Sequence, residues 1–218
     1  MRDFPFSFDS LNRFSQSNPY QRLSDSDKNL YTLLKQLEVE LNFPAIHDDV
    51  GSFISFLFHW LKPKRIFEFG SGYGQSCFWY SLSDHNIEKV ILTEKREDLE
   101  QIHHNLPWSK TWKNKLEYHQ KDAFKVFDSM EDFDFILIDG VKADYLEFLE
   151  KSYNKLNPGG IVLVDNSYWR GSFLDDEVVA KKKTAANIRA LHSYISKTEK
   201  FESIFIPYVD GVSLLRKI

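Results

Sequence analysis

One cysteine, Cys77, stands in 218 residues. A lone thiol forms no intramolecular disulfide and no thiolate metal cluster, which excludes a stapled secreted domain and a zinc ribbon. Long apolar runs are missing as well. The longest, near Phe53–Leu61, is interrupted by Ser55 and His59 and is too short to cross a bilayer. The start, Met1-Arg2-Asp3-Phe4-Pro5, brings an acid early and no apolar signal core, so a soluble cytoplasmic chain with no membrane partner is expected. Positive charge is not in excess: 28 Lys and Arg face 32 Asp and Glu, a net charge of −4. That balance argues against a surface built throughout for nucleic acid or anionic lipid. The length fits one large domain, or one domain with a small appendage, rather than two full ones.

Aromatic side chains are plentiful, with 19 Phe, 10 Tyr and 5 Trp. Four of the phenylalanines fall in residues 1–24, a stretch without apolar period that reads as an irregular arm packing on something else. Residues 25–218 read as one domain. From Asp25, leucines at 30, 33, 34, 37 and 41 follow helical spacing up to Pro44. A second helix is predicted from about Asp48 to Leu61, opened by Asp48-Asp49 and stopped by Pro63.

Beyond Pro63, short apolar runs alternate with longer amphipathic ones. Arg65–Gly70, Lys89–Thr93, Leu116–His119, Phe133–Asp139 and Ile161–Asp165 read as strands, which predicts a parallel sheet covered on both faces. The runs at 135–138 and 161–164 lack polar alternation and should be central strands. After a helix near Val178–Ser196, the runs Phe201–Ile206 and Val212–Leu215 are close enough to form an antiparallel hairpin at one edge.

The first strand ends in Phe67-Glu68-Phe69-Gly70-Ser71-Gly72-Tyr73-Gly74-Gln75-Ser76. Glycines at alternate positions allow a tight turn and close approach to a ligand at a helix start. The dinucleotide fingerprint G-x-G-x-x-G is not met, because Gln75 occupies the place of its third glycine. Glu68, at the strand end, would accept from an ammonium group and repel a pyrophosphate. Glu94 closes the second strand, where an acid suits ribose hydroxyls; alternatively it opens a helix over Lys95–Leu106. Asp122-Ala123 holds an adenine amino group or simply caps a helix.

Strand four ends in Asp139 and strand five in Asp165-Asn166. As parallel neighbours about 4.8 Å apart, they would bring two carboxylates and an amide to one sheet edge. That is a hard ligand set suited to Mg²⁺, or to Mn²⁺ or Ca²⁺. Lys142, three residues beyond Asp139, would serve as general base for a hydroxyl beside such a cation. Tyr168 and Trp169, in the loop after strand five, either stack on a flat substrate or pack the loop.

These residues resemble the class I S-adenosylmethionine-dependent O-methyltransferases of the caffeoyl-CoA and catechol type. The resemblance runs from about Leu37 to the C-terminus. Its anchors are Phe43-Pro44-Ala45-Ile46, the glycine turn with Glu68 and Ser76, Glu94, Asp122-Ala123, the run from Phe133 to Tyr145, Leu156-Asn157-Pro158-Gly159-Gly160, Asp165-Asn166-x-x-Trp169-x-Gly171 and Asp210-Gly211-Val212. The resemblance implies a Rossmann-like methyltransferase fold: a seven-stranded, mostly parallel sheet with one antiparallel edge hairpin, helices on both faces and an N-terminal helical arm. It further implies S-adenosylmethionine held by the backbone near Ile46, Glu68, Gly70, Ser71, Gly72, Gly74, Ser76, Glu94, Asp122, Ala123 and Asp139, with S-adenosylhomocysteine as product. Asp139, Asp165 and Asn166 match the divalent-metal ligands, and Lys142 the catalytic base.

Ser213 replaces the glutamate that the animal catechol enzymes carry after the Asp-Gly-hydrophobic triplet, so the bacterial and plant branches are nearer. The implied acceptor is a vicinal-dihydroxy aromatic or similar chelating small molecule, with Lys142, Asn166, Trp169 and Ser213 as candidate substrate contacts. Lys110, Lys113, Lys115 and Lys181-Lys182-Lys183 keep a tRNA hydroxyuridine in view as an alternative acceptor. A nicotinamide-dependent oxidoreductase is the remote alternative, against which Gln75 and Glu68 both count. A homodimer is expected from the resemblance. His103-His104 lack ligand spacing and read as surface or packing residues, and Cys77 as a small buried hydrophobe.

Overall fold

The computed structural model describes residues 23–83 and 86–218. The aromatic arm expected over 1–24 falls outside the described residues except for Leu23 and Ser24. The chain forms two compact units, residues 1–42 and 43–218. In the first, helix α1 (Asp25–Glu40) starts where Ser24 Oγ accepts the Asp27 N–H at 3.2 Å, with Asp25 and Asp27 at the positive end of its dipole. Its Leu30 and Leu34 are buried.

The second unit runs α2 (Asp48–Leu61), β1 (Arg65–Phe69), α3 (Ser76–Ser81), β2 (Lys89–Glu94), α4 (Leu99–Asn105), α5 (Lys110–Lys113), β3 (Leu116–Gln120), α6 (Ala123–Asp128), β4 (Phe133–Ile138), α7 (Tyr145–Lys155), β5 (Leu156–Val164), α8 (Asp176–Lys181), α9 (Lys183–Ile195), β6 (Phe201–Ile206) and β7 (Val212–Lys217). The strands order as β3-β2-β1-β4-β5-β7-β6. The first five are parallel, and β7 runs antiparallel to both β5 and β6. The expected mostly parallel seven-stranded sheet with an antiparallel edge hairpin is therefore what forms.

Unbroken apolar runs become strands buried on both sides. Phe135, Ile136, Leu137 and Ile138 of β4 are all inaccessible to solvent in the middle of the sheet. Ile136 and Ile138 join Phe67, Phe127, Phe148 and Leu191 in a core beneath α6, α7 and α9. On the opposite face Phe58 of α2 meets Phe135 edge-on at 4.8 Å and stacks on Tyr80 of α3 at 5.3 Å. Each such side chain contributes about 1.5–3 kcal/mol when removed from water. Among the described residues, no helix is long and apolar enough to cross a membrane.

Three boundaries differ from expectation, each for a local reason. Helix α4 begins at Leu99 rather than Lys95, because Glu94 Oε1 draws in the N–H groups of Lys95 (2.7 Å) and Arg96 (3.0 Å) and holds a turn there. The helix expected over Val178–Ser196 is two, since Lys182 is extended at φ −122°, ψ 112°. Strand β5 begins at Leu156 instead of Ile161 and crosses Pro158-Gly159-Gly160 with a register irregularity opposite Phe133 and Phe135.

The turn after β1 presses on the turn after β4. At Gly70 φ is +82°, and a Cβ there would lie 2.5 Å from Gly140 Cα. Gly159 shares the left-handed conformation at φ +75° but has open space around it. Gly70→Ala is therefore expected to cost well over the roughly 1–2 kcal/mol of left-handed strain alone, whereas Gly159→Ala costs only that strain. Thermal melting of the two variants side by side checks the ordering.

Candidate active site

From β1 the chain winds outward through β2 and β3 on one side and through β4 and β5 on the other. Connections after β1 and β4 therefore diverge and leave a crevice at the carboxyl edge, the place where open α/β sheets bind ligands. A cavity of about 470 Å³ fills it, and Ile46, Glu68, Gly70, Ser71, Ser76, Glu94, Ala123, Asp139, Lys142 and Asn166 line its wall. Gly72, Gly74, Asp122, Asp165, Tyr168, Trp169 and Ser213 are not among its lining residues.

At one end lies Glu68, buried in β1 between Leu92 and Leu137 of the adjoining strands. Ser76 Oγ donates to its two oxygens at 2.7 and 2.6 Å, and the Tyr80 hydroxyl donates to Oε2 at 2.9 Å. Burial pushes its carboxyl up to about 7; those two hydrogen bonds pull the other way, and Glu94 nearby raises it further. Glu94 itself stands at the end of β2, well short of α4, and its Oε2 accepts the Gly72 N–H at 3.1 Å. Gly72 thus serves the site through Glu94. Gly74 lies against His103, whose ring is buried, bonds the Tyr73 carbonyl at 3.0 Å and stacks on Tyr118 at 4.6 Å. His103 is a packing residue, and Cys77 is a buried thiol.

Asp122 caps α6 through the Phe124 N–H at 2.9 Å and pairs with Lys95 at 2.9 Å. Ala123 and Phe124, which follow it, reach the cavity. Phe124 stacks on Phe148 at 4.2 Å, and Phe148 on Phe69 at 3.9 Å, which gives the cavity a flat aromatic wall continuous with the core. Phe43 and Tyr73 meet edge-on at 5.9 Å on the lining, where Arg96 lies 5.3 Å over the Phe43 ring. Phe124, Phe148 and Arg96 carried no motif in the sequence; only the register of distant elements brings them in.

The other end is acidic. Ile138 pairs with Val164, so Asp139 and Asp165 leave adjacent parallel strands at one level. The ladder continues through them: Asp139 N–H donates to the Phe69 carbonyl (3.1 Å) and Asp165 N–H to the Ile138 carbonyl (3.0 Å). Asp165 Oδ1 accepts the Asn166 N–H at 2.7 Å, and Asn166 takes φ +49°, a conformation asparagine tolerates better than most residues. Lys142 Nζ donates to Asn166 Oδ1 at 2.9 Å and lies 3.7 Å from Asp139 Oδ1. Burial raises both Asp139 and Asp165; Lys142 opposes the rise at Asp139, while Asp139 reinforces it at Asp165.

No cluster of three or more His, Cys, Asp or Glu side chains suited to a metal occurs among the described residues. The set here is two carboxylates and an amide oxygen. Its oxygens are hard donors of the kind a divalent cation takes, and the Lys142 ammonium lies against two of the three residues, Asn166 and Asp139.

The loop after β5 is fastened to the β6–β7 turn. Ser167 N–H donates to the Gly211 carbonyl and Tyr168 N–H to the Asp210 carbonyl, both at 2.9 Å, and Arg170 N–H to Asp210 Oδ1 at 2.6 Å. Tyr168 covers Gly211, and Trp169 packs partly buried against the core. Ser213 is buried in β7 opposite Val164. All three stand beside the acidic end but off the cavity wall.

A family profile described as O-methyltransferase matches residues 22–218. Probable caffeoyl-CoA O-methyltransferase 1 of Dictyostelium discoideum is 26% identical over 205 residues, 90% of this chain and 87% of its own. Flavonoid 3',5'-methyltransferase of Vitis vinifera is 26% identical over 191 residues, 82% of this chain and 79% of its own. The O-methyltransferase of Bacillus cereus, solved in complex with SAH, superposes with a TM-score of 0.82 at 19% identity, covering 95% of this chain and 97% of that one.

Carboxyls raised in the folded state bind protons that the unfolded chain has released, so the contribution of Glu68, Asp139 and Asp165 to stability falls as pH climbs from the ordinary carboxylate range near 4 towards 7. Glu68 alone, raised to about 7, accounts for on the order of 3 kcal/mol. Buried His103 and half-buried His192, whose ring pKa values burial lowers, work the other way over the same range, so the check is a difference: the melting temperature of Glu68→Gln relative to the wild-type chain, both ligand-free, should rise between pH 5 and pH 8. A difference that stays flat or falls over that range would contradict the raised carboxyl of Glu68.

Proposed function

Since the chain belongs to the O-methyltransferase family, its profile matching residues 22–218, we propose that it transfers the methyl group of S-adenosylmethionine to a hydroxyl of a vicinal-dihydroxy aromatic or similarly chelating small molecule, aided by a divalent cation. One observation carries the reading: a single cavity joins Glu68 and Glu94 at one end to Asp139, Lys142 and Asn166 at the other. The SAH complex of the Bacillus cereus neighbour and the flavonoid acceptor named for the Vitis vinifera relative support the two halves.

We assign Glu68 to the ligand's ammonium and Glu94 to the ribose hydroxyls, with Ile46, Ser71, Ser76 and Ala123 along the same wall. Phe124 and Phe148 exclude water from the adenosine side. Asp139, Asp165 and Asn166 would hold Mg²⁺, or Mn²⁺ or Ca²⁺. When bound, that cation supplies Lewis-acid charge that acidifies a neighbouring hydroxyl. Lys142 is the base: in its neutral amine form Nζ takes the acceptor's hydroxyl proton and becomes the ammonium, a role supported by its place 2.9 Å from Asn166 Oδ1 and 3.7 Å from Asp139 Oδ1. Asn166 and Lys142 orient the acceptor oxygen towards the methyl donor, so that positioning carries much of the rate.

Methyl transfer from labelled S-adenosylmethionine to catechol is expected with Mg²⁺ and lost with a chelator. Transfer to tRNA in place of catechol would redirect the acceptor assignment, and activity indifferent to chelation would overturn the metal role. Lys142→Met should lower kcat by about 100-fold or more while S-adenosylhomocysteine affinity holds within twofold by calorimetry. Asp165→Ala should abolish stimulation by Mg²⁺.

A further inference from the structure

We propose that Tyr80 is a positioning residue that holds the Glu68 carboxylate charged and correctly turned for the ammonium of a nucleoside that carries a free amino acid, without itself touching that ligand. The inference rests on the assignment of Glu68 made above. Tyr80 follows Ser76 by four residues in α3, so both side chains face β1 from one side of the helix. Its ring is fully buried and stacked on Phe58 at 5.3 Å, with Phe58 braced edge-on by Phe135 at 4.8 Å. From that support its hydroxyl donates to Glu68 Oε2 at 2.9 Å. Glu68 and Ser76 line the cavity, whereas Tyr80 is absent from its wall. The phenol therefore acts behind the carboxylate.

Glu68 needs such a donor because its surroundings work against charge. Burial dominates, and Glu94 at the end of β2 adds repulsion; the Ser76 and Tyr80 hydrogen bonds are what favour the carboxylate. The other titratable groups that feel its charge are Cys77 on α3, Tyr118 in β3 and Asp139 after β4. None of the five groups besides Glu68 (Tyr80, Cys77, Tyr118, Glu94 and Asp139) is a cation, so a buried acid at this place depends on donors until a cationic ligand arrives. Tyr80→Phe removes the donor and keeps the ring that packs on Phe58. Glu68 then ionises at higher pH, and fewer molecules carry the charge that the ammonium requires.

The test is calorimetric binding of S-adenosylhomocysteine and of 5'-methylthioadenosine, which lacks the amino-acid group, to the full chain between pH 6 and pH 9. Tyr80→Phe should weaken S-adenosylhomocysteine about tenfold at pH 7, as the loss of one hydrogen bond to a charged group implies. Affinity should recover towards wild type by pH 9, with 5'-methylthioadenosine unchanged. In a Glu68→Gln background the same substitution should change affinity less than twofold. Equal losses for both ligands, an unshifted pH profile, or an additive loss with Glu68→Gln would overturn the role. Tyr80→Leu, which also lacks the donor, repeats the measurement if the phenylalanine variant does not fold. A wild-type chain that binds 5'-methylthioadenosine but not S-adenosylhomocysteine would overturn the assignment of Glu68 itself.

Discussion

Glu68, Asp139 and Asp165 stand at the carboxyl edge of one sheet with little water to solvate them, and the rest of the site answers to that charge. Three means of compensation are visible. Hydroxyls serve Glu68, donated by Ser76 and Tyr80. A backbone N–H serves Asp165, from Asn166 at 2.7 Å. An ammonium serves Asp139, from Lys142 at 3.7 Å. None of these matches a full countercharge in direct contact, so all three acids hold their protons more tightly than in water. A site left in that condition gains most from ligands that bring positive charge, and a sulfonium nucleoside with its ammonium, beside a divalent cation, brings it at both ends.

Such a concentration of acids is tolerated because the backbone around them is tightly tied. The first turn after β1 hangs on β2: the Gly70 and Ser71 N–H groups both reach the Thr93 carbonyl, at 3.2 and 2.9 Å, while Thr93 Oγ1 donates back to the Glu68 carbonyl at 2.7 Å. The turn after β4 presses on Gly70 through Gly140. Fixing the backbone at these points keeps the carboxylates from swinging out to water, which is the cheaper response for an unpaired acid on a mobile loop.

Much of the architecture was legible in the sequence, because strands buried on both faces read as unbroken apolar runs and glycines at alternate positions read as a tight turn. Asp139, Asp165 and Asn166 could be brought together on paper, since each follows a central strand by one or two residues and parallel register does the rest. Glu94 as a helix opener was the less apt of its two readings, for its own side chain pulls the next two N–H groups out of the helix. Lys182 was hidden inside a helical pattern, because nothing in its residue type announces an extended conformation. Tyr80, Phe124 and Phe148 were invisible as site residues. Their roles come from side-chain packing between elements far apart in the chain, and an aromatic residue on a helix facing a sheet looks the same in sequence whether it ends in the core or at a cavity.

That aromatic share explains how one small cavity can favour an amphipathic ligand. The stack from Phe69 through Phe148 to Phe124, with centroid steps of 3.9 and 4.2 Å, carries the hydrophobic core outward until its last ring becomes the wall of the cavity. Glu68 and Asp139 line the same cavity. A flat ring entering against Phe124 loses water without loss of hydrogen bonds, and a cationic group at the far end meets Glu68 where water is scarce and attraction is correspondingly strong. A pyrophosphate placed at Glu68 would meet a buried carboxylate and lose its water without a countercharge. On the assignment proposed for Glu68, selection for an adenine-bearing cation over an adenine-bearing anion would lie with that residue, while Phe69, next to it in β1 and turned to the opposite face of the sheet, supports through Phe148 the ring stack that reaches the cavity.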